Sequence, residues 1–156
     1  TIHLFLIQKI FLVNTAIITT DPVFGPWVIP TRGQTMIANN YAFDQDIKID
    51  IVIPEPVFSN CLSTTQWSKE NKSLSCAILC SIHQLPQNPD ILKKFLNDMK
   101  EMEFHFCLEL LSGKGKVFLS QMIEEAKIFQ EAKIMNYNQV KSYKELFNLM
   151  QKQTNS

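Results

Sequence analysis

The sequence predicts an α/β or α+β domain: a small sheet of at least three strands with two to three amphipathic helices packed on it, preceded by an apolar N-terminal segment. Three observations carry this expectation. Apolar side chains alternate with a period of two in three short stretches, the rhythm of a strand with one face buried. They recur at helical spacing in the stretches that follow. Proline, glycine and asparagine punctuate the boundaries.

The chain divides into residues 1–40, an apolar segment with a Pro-rich connector; 41–151, one α/β domain; and 152–156, a polar frayed tail. Residues Ile2 to Ile18 are strongly apolar, interrupted by Gln8, Lys9 and Asn14. Their polar positions would form one narrow stripe on a helix, so the segment reads as a buried helix or as strand, and both stay open. A membrane span needs about 20 mostly apolar residues, so a membrane role is not expected of this short, polar-broken stretch. Between residues 20 and 40, Asp21-Pro22, Gly25-Pro26 and Ile29-Pro30 disfavour helix and predict an extended connector lying on a surface through Phe24, Trp27, Val28 and Ile29.

From Asp46 to Ile53, Ile47, Ile49, Ile51 and Ile53 share a face, which predicts the first strand, ended by Pro54 and Pro56. Residues 59–73 are polar and predict a surface loop carrying Trp67. A second strand is expected over Leu74–Ile82, with Leu74, Cys76, Ile78, Cys80 and Ile82 on one face. Pro86 to Asp90 then announces a helix with Ile91, Leu92, Phe95, Leu96, Met99 and Met102 inward. Phe104, Phe106, Leu108 and Leu110 predict a third strand. The two strands flanking that helix are expected to run parallel. After the turn at Ser112–Gly115 a helix is expected from Val117 to Met135, a break at Asn136-Tyr137-Asn138, and a last helix over 139–151.

Composition bears on function. Fifteen basic and fifteen acidic residues leave no net charge, and Arg32 is the only arginine. Arginine is the usual bidentate reader of phosphate and guanine, so no nucleic-acid partner is expected. The four cysteines, Cys61, Cys76, Cys80 and Cys107, lie in a chain with apolar material enough for a core, and predict reduced thiols in an intracellular protein, cytoplasmic or nuclear. The sequon Asn71-Lys72-Ser73 does not outweigh this, because three-residue matches arise by chance.

Four constellations offer residue types that can carry chemistry. Cys76, Cys80 and His83 would share a helix face at zinc-ligand spacing, but on the strand that the alternation predicts His83 faces away, so no metal is expected there. Asp44, Asp46 and Asp50 read as a solvated strand face with Lys48 as counter-charge, since the calcium-loop pattern fails. His105, Cys107 and Glu109 share a strand face, which by itself makes no nucleophilic site. The turn Ser112-Gly113-Lys114-Gly115-Lys116 follows a strand and opens a helix, where free N–H groups and lysines favour an anion, although the P-loop spacing is absent. These five residues are the candidate ligand-binding site, and no catalytic residue, cofactor or metal is assigned.

The function expected from this reading is a protein-protein interaction or adaptor domain, a subunit or fragment of a larger assembly. Its partner, or a second copy, would cover the apolar N-terminal segment. The alternative is a small enzyme, or a remnant of one, binding a phosphorylated ligand at Ser112–Lys116.

Overall fold

A computed structural model describes residues 14–55 and 62–154, with the side chains of residues 134, 136–140, 142 and 154 outside that description. The expectations resting on residues 1–13 and on Cys61 lie outside the described residues.

Strand β1 (Thr15–Thr19) is buried at all five positions and sits inside the sheet. A small hairpin, β2 (Val23–Phe24) and β3 (Trp27–Val28), follows and leads to helix α1 (Thr31–Asp44). Then come β4 (Ile51–Pro54), α2 (Ser63–Lys72), β5 (Cys76–Leu79), a 3-10 turn (Ile82–Gln84), α3 (Pro89–Met99), β6 (Glu103–Phe106), β7 (Leu111–Gly113) and α4 (Lys116–Thr154). The main sheet runs in the order β4-β1-β5-β6-β7. Its pairs are parallel except for β6 with β7.

Both faces of this sheet are covered. One carries Ala16, Ile18, Ala77, Leu79, Phe104 and Phe106 in a core with Phe95 and Met99 of α3 and Leu119, Met122, Ile123 and Ala126 of α4. The other carries Ile17, Cys76 and Ile78 against Ala38 and Ala42 of α1, with Tyr41 packed alongside. Among the described residues helix α1 covers this side of the strands, and the small alanines at a spacing of four let it approach closely. Helix α3 starts where its sequence says it should: Pro89 occupies its first turn and the Asn88 side chain accepts the Asp90 N–H at 3.0 Å.

The mixed α/β class agrees with the sequence, and β5 and β6 are parallel as expected. Among the described residues the sheet has five strands, two more than the three read from the alternation. The missing ones are β1, which is apolar on both faces and so has no alternation to read, and the short return strand β7. The extended connector over 20–40 is instead the hairpin and most of α1. The polar loop over 59–73 is largely α2, whose buried residues are Thr65 and Ser68. The strand read from Asp46 begins only at Ile51, so Asp46 and Asp50 do not share a strand face; Asp50 instead accepts the Asn14 and Thr15 N–H groups, each at 3.0 Å. The strand read to Ile82 stops at Leu79 and passes into the 3-10 turn. The third strand ends at Phe106, and Leu110 turns the chain at φ +56°. The helix break at Asn136-Tyr137-Asn138 does not occur, because α4 runs unbroken for 39 residues, about 58 Å at 1.5 Å per residue. No helix among the described residues is long and apolar enough to cross a membrane.

Candidate functional site

In an open parallel sheet, ligands bind beyond the carboxyl ends of the strands, at the point where successive connections leave in opposite directions. Here that point lies between β1, whose sequence successor pairs on one side, and β5 on the other. The segments leaving it are Thr20-Asp21 after β1 and Cys80 to Gln84 after β5.

Those segments are tied together by two buried glutamines. The Gln34 side chain, fully buried on α1, accepts the Thr20 N–H at 2.9 Å and donates to the carbonyls of Thr20 and Ile29, each at 2.9 Å. Gln84 donates to Gln34 Oε1 at 3.0 Å and to Thr20 Oγ1 at 2.8 Å. Gln84 Oε1 in turn accepts the Ser81 N–H at 3.1 Å, closing a capping box on the 3-10 turn. Cys80 donates its thiol to the Gln34 carbonyl at 3.4 Å.

Beside this network Ser81 Oγ donates to Glu109 Oε1 at 2.5 Å and accepts the His83 N–H at 3.2 Å. A hydroxyl donating to a carboxylate makes a short charge-assisted bond. The His83 ring lies edge-on to Phe129 of α4, with centroids 5.2 Å apart. On its other side is Gly25, at φ +56°, where an added Cβ would meet the imidazole at 2.3 Å. The hairpin therefore needs glycine there. Burial lowers the His83 pKa, and the nearby Glu109 charge opposes part of that effect. Among the described residues, His83 Nδ1, Gln87 Nε2 and Glu109 Oε2 are buried without a hydrogen-bond partner.

The site thus offers a hydroxyl, a carboxylate, an imidazole held toward its neutral form and a set of amides. Neither Arg32, exposed on α1, nor a lysine hydrogen-bonds into it among the described residues. Ser81 is fully buried and its hydroxyl proton is committed to Glu109, so it is poorly placed to attack a bulky electrophile.

The residues singled out from sequence scatter. Cys76 belongs to the core beneath α1, Cys80 meets Gln34, and His83 packs on Phe129, so they do not converge. His105 bonds Tyr41 and Glu103, Cys107 belongs to the core beneath α1, and Glu109 turns to Ser81, which separates Glu109 from the other two residues expected on one face. Of the anion-friendly turn, Ser112 and Gly113 end β7, Ser112 lies opposite His105, and Lys116 begins α4. Gly115 takes φ +103° with open space around it, a conformation that favours glycine. Gln34 and Gln84 were missed. The available signal was Gln34-Ala38-Ala42, a stripe of period four.

No protein-family model matches the sequence, and no curated protein matches it. Among solved structures the chain is similar to the N-terminal catalytic domain of TP901-1 integrase, at 14% identity and a TM-score of 0.53, covering 77% of this chain and 98% of that one. It is also similar to a resolvase family site-specific recombinase from Streptococcus pneumoniae, at 15% identity and a TM-score of 0.49, covering 85% and 97%. The first likeness establishes a shared fold. It corrects the adaptor reading, with its alternative of a small phosphate-ligand enzyme, and the exclusion of nucleic acid. The adaptor reading rested on the apolar N-terminal segment and the exclusion of nucleic acid on one arginine and no net charge, and neither feature reports the fold.

Proposed function

We propose that this chain acts in DNA rearrangement, as a recombinase-type domain that binds DNA and positions it without cleaving it. The supporting observation is the fold itself: the likeness spans 98% of the integrase catalytic domain. The groups described at the crevice beyond the carboxyl ends of β1 and β5 support the non-cleaving part of this reading. Phosphoryl transfer needs cations or donors aimed at the charge that develops on phosphate. The described groups here include a carboxylate, Glu109, and no lysine or arginine bonded into the network, so a phosphodiester would meet repulsion.

DNA contact then falls to lysines elsewhere. Lys114 and Lys116 at the Ser112–Lys116 turn, followed by Lys127, Lys133, Lys141, Lys144 and Lys152 along α4, are all exposed. In this reading the turn takes a backbone phosphate, helped by the free N–H groups at the start of α4. The setting is intracellular, cytoplasmic or nuclear, in keeping with the free thiols of Cys76, Cys80 and Cys107.

The test is the full chain with labelled duplex DNA at low and moderate salt, alongside supercoiled plasmid. Salt-dependent binding with neither nicking nor a covalent protein–DNA adduct is the expected result. No binding at low salt overturns the DNA role, whereas an adduct overturns only the non-cleaving part.

A further inference from the structure

Away from the crevice, at the starts of β5 and β6, a second group of chemistry-bearing side chains converges. Parallel pairing sets Cys76 opposite Glu103 and Ile78 opposite His105. Residues 76, 103 and 105 therefore project from the same face, the one covered by α1. One donor atom from each, Cys76 Sγ, a Glu103 carboxylate oxygen and a His105 ring nitrogen, lie within 4.8 Å of one another. We propose that Cys76, Glu103 and His105 form a binding site for a zinc-class divalent transition metal ion.

The donor chemistry selects the class. A thiolate with an imidazole suits zinc and its cobalt analogue better than calcium or magnesium, which take oxygen ligands. Two anionic ligands and a neutral imidazole cancel the dication's charge, which a partly buried site requires. Tetrahedral zinc places its donor atoms roughly 3.3–3.7 Å apart, by the usual bond lengths. The widest separation, at most 4.8 Å, must close by about 1 Å, while the Glu103 Oε1–His105 Nε2 pair, 2.7 Å apart, must open to admit the ion. Glu103 can supply the movement, because its side chain is 52% exposed while that of His105 is 9% exposed. Three protein ligands leave a fourth position, toward the solvent side where Glu103 stands, for water.

The surroundings of His105 fit the same assignment. Its Nδ1 lies 2.8 Å from the Tyr41 hydroxyl of α1, and its Nε2 lies 2.7 Å from Glu103 Oε1. With the metal on Nε2, the ring proton resides on Nδ1 and is donated to the Tyr41 oxygen, the outer hydrogen bond that orients a ligating histidine. Binding replaces the Nε2–Glu103 hydrogen bond with two metal bonds. It also releases the Cys76 thiol proton to solvent, so one proton leaves as the metal–sulfur bond forms. The ion would pin β5, β6 and α1 together. The sequence reading grouped Cys76 with Cys80 and His83, residues near in the chain; the register groups it with residues 27 and 29 positions later.

The experiment titrates the full chain, reduced and free of chelator, with Co²⁺ and reads the thiolate-to-cobalt charge-transfer band. One equivalent is expected to saturate the band, and Zn²⁺ to abolish it by displacement. C76S should remove the band, Y41F should weaken binding by about tenfold through the lost outer hydrogen bond, and C80S and C107S should leave the band in place. Circular dichroism checks that each variant is folded. Absence of a band at millimolar cobalt overturns the site. So does a band that survives C76S, which would place the metal on another thiol. If C76S fails to fold, E103Q is read instead, and unchanged affinity in that exposed variant overturns the three-ligand assignment.

Discussion

Gln34 does more for this fold than its residue type announces. It sits fully buried on a helix, and its amide holds the end of β1, the hairpin connection and Gln84 in one network. Gln34→Leu keeps the volume but leaves the Thr20 N–H and the Thr20 and Ile29 carbonyls without this partner. A buried group left unpaired costs about 1–3 kcal/mol, so a loss of at least about 3 kcal/mol is expected for the three. Urea unfolding should show it as a lower midpoint with an unchanged slope. His83 yields a prediction of a different kind. Burial lowers its pKa in the folded chain from the ordinary 6.5, so between the folded value and 6.5 the unfolded chain binds the proton more readily. Stability is then fully present above about pH 6.5 and falls as the pH drops below it. His83→Gln should flatten that acid-side slope in denaturant midpoints measured across pH; an identical slope would show that other groups set it.

At the scale of elements, what was legible in the sequence depended on whether an element has a polar side. Helix α3 was readable because Phe95 and Met99 recur at helical spacing and Pro89 marks its start. Strand β1 was not, since a parallel strand covered on both faces reads as an unpatterned apolar run. Helix α2 hid for the opposite reason: its buried residues are Thr65 and Ser68, with Trp67 exposed, so no apolar stripe marks it. The crevice was the least legible part. Its members, Thr20, Gln34, Ser81, Gln84 and Glu109, are spread along the chain and meet only through the strand order, and none carries a motif. Helix α4 combines both regimes. Its core contacts are Leu119, Met122, Ile123 and Ala126, while Tyr143, Leu146, Phe147, Leu149 and Met150 are exposed. Truncation after Lys133 therefore removes none of the described core residues and should lower the melting temperature of the body by no more than a few degrees, since about 1 kcal/mol corresponds to roughly 2–8 °C in domains of this size. A much larger drop in thermal unfolding would mean that the distal half stabilises the body directly.

For the whole molecule, the absence of net charge and the proposed DNA role meet in one measurable quantity. A protein neutralising Z phosphates shows log K falling against log salt with a slope of about −0.9Z. A balanced chain has no long-range field to draw DNA in, so its affinity must come from a few lysines placed on one element. Helix α4 and the turn before it hold seven, from Lys114 to Lys152, and two of these stand at the turn itself. Replacing Lys114 and Lys116 together by Ala should weaken binding evenly across DNA sequences and reduce the slope by about 1–2, one phosphate contact for each lysine lost. The truncation after Lys133 should remove a further share of the slope while the folded body persists. If the double variant keeps the full slope and the truncation abolishes binding, the contacts lie on the distal helix alone and the glycine-lysine turn has no part in them. If both variants keep it, DNA is held by a surface other than α4.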